Sequence, residues 1–415
     1  MGEKPVQAAF EDDTAIVAQQ YTQWAYPAPI PDLNELISNG VRYALDVEVC
    51  APTFWPRCPN KSNLKILVAG CGTNQAAYYA YRNPTARVVG IDLSETSLAH
   101  EKYLKEKHGL KNLHLMRGSL LDVSVLDERF DLVFCTGVLH HLSDPSLGLN
   151  ALKAVLKPDG LMGIMLYGKS LRSGVYVMQE AFQNLGLKQS AEDVSLVRAT
   201  LDLLPANHTV QPYLEVAHDL KDDAGVVDTF LHPVDRAYSV SEVLDFVRAN
   251  GLEYVRWSQP AKYDPQSSLP ANHPILPKLL SLPIEQQWHV LDLLVQKNGL
   301  HELIIAFPDY VQEIKIEFSS DEYKKYTPRP SLGLKVLEPA AVVEGVLSAV
   351  LQLEDLTFRI RGTSVLIALA VDTQKTILQI VDELSQKRPE IKWEDEAREF
   401  FDRMYRIGAF SFLIV

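Results

Sequence analysis

The stretch from Leu64 to Gly168 constrains the fold more than any other part of the chain. Five short apolar runs occur there: LKILVAG (64–70), ARVVGID (86–92), NLHLMRG (112–118), FDLVFCTG (130–137) and GLMGIMLYG (160–168). Between them lie amphipathic stretches such as SETSLAHEKYLKEKHG (94–109) and SLGLNALKAVLKPDG (146–160). Each apolar run reads as a buried strand ending at a turn, and strand–helix alternation of this kind implies parallel βαβ units in a doubly wound sheet. Ser94 is placed to cap the helix that follows it and Gly109 to end it. The later runs EYVRW (253–257) and HELIIAF (301–307) supply two more strands, which makes seven. The expected fold class is α/β.

The rest of the chain is organised around that sheet. Residues 1–60 are rich in aromatic residues and proline, most densely in YTQWAYPAPIPDL (21–33). Pro27, Pro29 and Pro31 prevent a helix there, so the segment is extended and must lie across something else, as a lid. The sheet-forming region spans 61–310 and carries two helical insertions, 168–240 and 260–300. Insertions at the C-terminal edge of a doubly wound sheet sit over the ligand crevice. Beyond Tyr310 the pattern restarts, and 325–415 reads as a separate small α+β unit. Its expected order is a helix in AAVVEGVLSAVLQL (340–353), a strand in LTFRIRGTSVLIAL (356–369), helices near 373–388 and 393–408, and a last apolar AFSFLIV.

Composition narrows the partners. With 415 residues and a formal net charge of −13, the chain lacks the basic balance that phosphate neutralisation demands, so nucleic acid is not expected. Cys50, Cys58, Cys71 and Cys135 form no CxxC pair, and reduced thiols are expected rather than a zinc knuckle or disulfide framework. The opening MGEKPVQAAFEDD has no cationic start followed by an apolar core, and no run reaches the roughly 18–20 apolar residues that span a bilayer. A cytoplasmic protein without membrane contact is the expectation.

The chemistry begins at ILVAGCGTNQAAYYA (66–80). A strand that ends in Gly70-Cys71-Gly72 must turn sharply, and glycine permits both the turn and close approach of a ligand, while the next helix presents its N-terminal amides. A tight turn without a ligand explains the same residues. Asp92 ends the next strand, 20 residues beyond Gly72, where a carboxylate accepts hydrogen bonds from ribose hydroxyls. It could instead cap a helix, and spacing alone leaves NAD as a rival ligand.

The next segment separates these readings. FDLVF, then Gly137-Val138-Leu139-His140-His141-Leu142, then Leu156-Lys157-Pro158-Asp159-Gly160 resemble the class I S-adenosylmethionine-dependent methyltransferases. That resemblance implies a seven-stranded doubly wound sheet and S-adenosylmethionine as cofactor. It puts Gly70, Cys71 and Gly72 around the methionine part and ribose, Asp92 on the ribose and Leu93 on the adenine. Ser119 and Leu120 fall beside the adenine, and Thr136 and Gly137 border the methionine moiety. Two positions depart from the family pattern: Val68 stands where many members carry an acid, and Asn74 where the loop's third glycine falls.

His141 and His140 are the candidate general bases, since imidazole is best poised to take a proton near neutral pH; packing or capping of the next helix competes with that role. Tyr167 follows the fifth strand and faces the expected methyl acceptor. Tyr21, with Trp24 and Tyr26, resembles the aromatic N-terminal segment that folds over the cofactor in related enzymes, where aromatic faces favour a sulfonium cation. In HPVDRAY (232–238), His232, Arg236 and Tyr238 are candidate substrate contacts, and a structural Asp235–Arg236 ion pair is the alternative. No metal site is expected. The C-terminal unit faintly resembles winged-helix, peptide-binding modules of the PqqD type, with a lid or a homodimer contact as the other uses for it. The resemblance as a whole implies methyl transfer to O, N or C of a small molecule or peptide. A catalytically silent, cofactor-binding regulatory or adaptor protein is the alternative.

Overall fold

The computed structural model describes residues 17, 19–38 and 45–414. Seven strands form one sheet in the order β3-β2-β1-β4-β5-β8-β7. They are β1 (Lys65–Ala69), β2 (Arg87–Asp92), β3 (Leu113–Arg117), β4 (Phe130–Thr136), β5 (Leu156–Gly168), β7 (Glu253–Trp257) and β8 (Leu300–Ala306), and the two-residue β6 (Ala237–Tyr238) adds to β5. The first five run parallel, while β8 runs antiparallel between β5 and β7. Ile66, Leu67, Val68 and Ala69 of β1 and Leu132, Val133, Phe134 and Cys135 of β4 are all buried. These strands show continuous apolar runs rather than alternation because both faces of the sheet are covered. This is the class I methyltransferase fold anticipated from the sequence.

Three helices join the parallel strands: α1 (Gln75–Arg82), α2 (Glu95–His108) and α3 (Pro145–Ala154). Ser94 caps α2 by accepting from Ser97 N, and Gly109 ends it. The strand order reverses between β1 and β4, so a crevice opens at the C-terminal ends of those two strands. The 168–240 insertion contributes α4 (Ser173–Asn184), α5 (Ala191–Leu203) and α6 (Asp223–Phe230). They share a small core of their own, including Val175, Phe182, Val197, Val227 and Phe230, and Trp24 packs against it. α7 (Val240–Ala249) follows, started by a reciprocal capping box of Ser239 and Glu242.

The described residues up to 38, with 62–257 and 292–308, make one compact unit, and 45–61, 258–291 and 309–414 make a second. The division differs from the expected one, because 258–291 and the 45–61 segment group with the C-terminal residues. Side-chain and backbone bonds account for this: Arg57 Nε donates to Glu313 O at 3.2 Å, Tyr310 OH to Phe54 O at 3.1 Å and Ile414 N to Pro56 O at 2.9 Å. Ala261 packs on the same aromatic core as Trp393, Phe400, Phe401 and Phe412.

Two expectations within the second unit are corrected. The run 340–353 is a hairpin, not a helix: β10 (Leu334–Val343) pairs antiparallel with β11 (Val346–Leu353). Glu344 and Gly345, at φ 50° and 80°, make the two-residue turn that matches strand twist, and the flanking valines suit a strand. The run 356–369 is split at Gly362, which sits at φ 57°, into β12 (Leu356–Arg361), where apolar and polar residues alternate as in a strand, and a helix, α8 (Thr363–Ala370). α9 (Ile377–Lys387), α10 (Trp393–Arg406) and β13 (Phe410–Ile414), which pairs with β9 (Tyr326–Pro330), complete the α+β unit. No helix among the described residues is long and apolar enough to cross a membrane, and none of the four cysteines is in a disulfide.

Candidate functional site

The crevice is built from the loop after β1 outward. Gly70 and Cys71 donate their amides to Ile91 O at 2.8 and 3.1 Å, which folds the loop back over β2. Gly70 sits at φ 71°, and a Cβ there would lie 2.3 Å from Val138 Cγ2, so no other residue fits. Gly72, at φ 57°, donates to Asp92 Oδ2 at 2.8 Å, and Asp92 Oδ1 accepts from Ser94 N at 2.8 Å. Asp92 therefore ties loop and turn together, yet each oxygen keeps a lone pair for a ligand. Burial pushes its pKa up.

The other sequence-derived cofactor residues lie along the same edge. Leu93 is half-buried beside Asp92. The Ser119 hydroxyl accepts from Leu121 N at 3.2 Å and so caps the short turn containing the buried Leu120. Thr136 Oγ1 lies 2.9 Å from Gln75 Nε2 and 3.1 Å from its Oε1, and Gly137 N points to Met165 O at 3.5 Å. The Cys71 thiol is buried, with its pKa pushed up by that burial.

The N-terminus of α1 is a correction. Its Ala76 and Ala77 amides do not face the crevice; they donate to Glu101 Oε1 and Oε2, each at 2.8 Å. Glu101 is fully buried, and burial raises its carboxyl to about 8. Asn74 sits at φ −154°, so the missing third glycine required no left-handed backbone.

The proline-rich segment is held by its carbonyls. Ser94 Oγ donates to Tyr21 O at 2.9 Å, Thr96 Oγ1 to Thr22 O at 3.0 Å and Thr73 Oγ1 to Pro27 O at 3.0 Å. Along α2, His100 Nε2 meets Ile30 O at 2.8 Å and Lys107 Nζ meets Pro31 O at 2.7 Å. A Cβ on Gly72 would lie 3.1 Å from Pro27 Cδ, so Tyr26-Pro27 rests directly on the glycine loop.

Beyond the loop, side chains from four elements converge. The turn Leu139–His141 after β4 brings His140 and His141, β5 brings Tyr167, α6 brings Asp228, and the residues after α6 bring His232. Tyr21 OH donates to Asp228 Oδ1 and Tyr167 OH to Asp228 Oδ2, both at 2.7 Å. The His141 and His232 rings stack at 3.8 Å. His141 Nδ1 is 2.9 Å from Val234 O, and His232 Nδ1 accepts from Val234 N at 3.1 Å. His140 is fully buried, its ring 3.8 Å from that of Tyr167, and burial holds its pKa well below the usual histidine value. Burial also lowers His232, and burial followed by Asp228 raises the phenols of Tyr21 and Tyr167, in Tyr21 helped by its bond to that carboxylate.

Of the expected residues, then, Tyr21, His141, Tyr167 and His232 meet, while His140 packs behind Tyr167. Arg236 is exposed, its guanidinium 5.0 Å over the Tyr238 ring. Asp235 does not pair with Arg236. It pairs with the buried Arg172 at 3.2 Å and also accepts from Gln179 at 2.9 Å, and Arg172 lies 3.7 Å over the Tyr167 ring. Asp228 and Arg172 escaped sequence reading. The one signal for Asp228 is an acid set inside the apolar VVDTF of α6.

His141, His232 and Asp228 offer ligand atoms within 4.8 Å of one another, a spacing also suited to a metal ion. His232 nevertheless accepts a backbone N–H at Nδ1, so its proton belongs on Nε2. A metal on Nε2 would need that proton on Nδ1, facing the Val234 N–H. The donor set therefore fits a hydrogen-bonding ligand better than a metal.

Comparison with known proteins adds a family model, two relatives and a solved structure. A methyltransferase-domain family model matches residues 60–214. An uncharacterized protein, syc1184_c, from Synechococcus sp. is 30% identical over 277 residues, covering 65% of this chain and 66% of that protein. A ubiquinone biosynthesis O-methyltransferase from Haemophilus ducreyi is 29% identical over 119 residues, covering 28% and 50%. The chain thus spans less than two thirds of the length of either relative. Among solved structures, PKMT2 from Rickettsia typhi matches with a TM-score of 0.61 at 17% identity over 89% of this chain and 76% of that one, and the same protein is also known in complex with AdoHcy. At that identity the likeness shows the fold alone.

Proposed function

We propose, from the match of a methyltransferase-domain family model to residues 60–214, that the protein is a class I S-adenosylmethionine-dependent methyltransferase and methylates a small molecule or peptide within the Tyr21–His141–Tyr167–His232–Asp228 cluster. The observation that carries this reading is the adjacency of two unlike sites. Gly70–Gly72, Asp92, Ser119 and Thr136 lie at neighbouring strand ends around the order reversal, and the buried polar cluster starts directly after β4 and β5. S-adenosylmethionine, when bound, supplies an electrophilic methyl group on a sulfonium. Asp92 would hold its ribose, Leu93 and Leu120 its adenine, and the 70–72 and 136–137 backbones its methionine end.

The chain's own groups then place the acceptor and take its proton. His141 is suited to the second task, because a backbone carbonyl can only accept; Nδ1 facing Val234 O must carry the hydrogen, which leaves a lone pair on Nε2. Much of the acceleration in such a displacement comes from alignment, on the order of 7–11 kcal/mol for well-positioned reactants. The buried cluster is a means of alignment. Calorimetry tests the reading: the protein should bind S-adenosylmethionine and its demethylated product and should not bind NAD. The reverse preference would overturn it.

A further inference from the structure

We propose that the Val234 backbone, through its N–H and its C=O, sets His141 and His232 in opposite tautomers, and that the pair takes an aromatic hydroxyl flanked by a second hydroxyl on the neighbouring ring carbon. The proposal rests on the methyl-transfer reading above. Both Nδ1 atoms turn toward Val234, one on its carbonyl and one on its N–H. In an imidazole Nδ1 and Nε2 lie on opposite sides of the ring, so in these stacked rings both Nε2 atoms face away from Val234, side by side. The Val234 C=O makes His141 Nε2 an acceptor, and the Val234 N–H makes His232 Nε2 a donor. One residue's backbone thus fixes an acceptor beside a donor.

Tyr21 indicates what fits there. Its hydroxyl donates to Asp228 Oδ1 at 2.7 Å and lies 3.5 Å from His232 Nε2. Its ring centroid is 6.0 Å from that of His232 and 6.5 Å from that of His141. A phenol therefore already meets two of the three groups, while His141 Nε2 is buried without a partner. A vicinal dihydroxy aromatic satisfies all three. One hydroxyl replaces that of Tyr21, donating to Asp228 and accepting from His232. The other donates to His141 Nε2. That second oxygen passes its proton to His141 and forms the new bond to the methyl carbon, and the carbon–sulfur bond breaks with its electron pair remaining on sulfur.

The test uses the full chain with selective 15N-histidine labelling and with catechol and phenol as probes. Long-range proton–nitrogen spectra should show one ring unprotonated at Nε2, lost in H141Q, and one unprotonated at Nδ1, lost in H232Q. With S-adenosylmethionine, kcat/KM for catechol should exceed that for phenol by about tenfold, the scale of one hydrogen bond, and H232Q should reduce that ratio toward one. If H232Q does not fold, the wild-type spectra and the wild-type ratio decide. The same tautomer in both rings, equal rates on the two probes, or one zinc ion per chain held through His232 would overturn the proposal while cofactor binding persists. Failure to bind S-adenosylmethionine at all would instead remove the reading on which it rests.

Discussion

Asp92 bonds to backbone on both sides of the crevice. One oxygen holds Gly72 N and the other Ser94 N, so the carboxylate shapes the crevice before any ligand arrives. Asp92→Ala should weaken S-adenosylmethionine binding by roughly 1.5–3 kcal/mol, the scale for hydrogen bonds to a charged group, or about ten- to hundredfold in Kd. An unchanged Kd by calorimetry would leave Asp92 as a cap only. Buried titratable residues set the pH dependence of stability. His140 and His232 have folded pKa values below the unfolded 6.5, so their stabilisation is present above pH 6.5 and is lost as pH falls. The slope is about 1.4 kcal/mol per pH unit for each ring that the unfolded chain protonates and the fold does not. Glu101 is raised from 4.5 to about 8, so its stabilisation is full below pH 4.5 and is lost as pH rises toward 8. These groups should therefore make stability fall on both the acid and the alkaline side. Urea unfolding at several pH values should show His140→Phe shallower on the acid side and Glu101→Gln flatter on the alkaline side. Wild-type slopes retained in both variants would mean that other groups carry the dependence. Glu101 was illegible in sequence, since a glutamate in a lysine-rich helix gives no sign that it caps a different helix.

At the scale of elements, the 21–33 segment depends on its prolines in a specific way. Proline lacks an N–H, so carbonyls do the anchoring, and Thr73, Ser94, Thr96, His100 and Lys107 supply the partners. Deleting residues 1–32 should leave the sheet folded and speed cofactor release, measured by stopped-flow displacement of bound product. A release rate equal to that of the full chain would assign the segment to structure alone. The extended segment could be read from Pro27, Pro29 and Pro31; its track along α2 could not, because that depends on residues about 70 positions away that interleave with no common motif. The hairpin at 334–353 shows the opposite failure. Its local signals, valine-rich runs around Glu344-Gly345, favour strands joined by a tight turn, and the helix expectation gave that turn too little weight.

At the scale of the whole molecule, residues 45–61 and 258–291 complete the unit that ends at the C-terminus. A chain stopped at Ser320 would leave Phe54, Trp55 and Tyr263, all buried, without the residues that cover their unit, and exposed apolar surface of that kind drives association. Such a truncation should aggregate on size exclusion, whereas a soluble monomer that still binds cofactor would show that the sheet unit closes without its partner segments. The sequence by itself determined the sheet: five apolar runs with intervening amphipathic stretches, a Gly70-Cys71-Gly72 turn and an Asp92 in step with it are local features, and local periodicity is written in consecutive residues. It also placed Gly70–Gly72, Asp92, Ser119 and Thr136 at neighbouring strand ends, because the order of the motifs follows the order of the strands. Only the tertiary structure decided which polar groups meet. His141, Tyr167, Asp228, His232 and Tyr21 come from four elements and the N-terminal segment, and the Arg172–Asp235 pair displaced the adjacent Asp235–Arg236 pair that spacing suggests. A buried charge takes the partner that burial presents to it, since desolvation makes the unpaired alternative costly, and no spacing rule along the chain encodes which one that is.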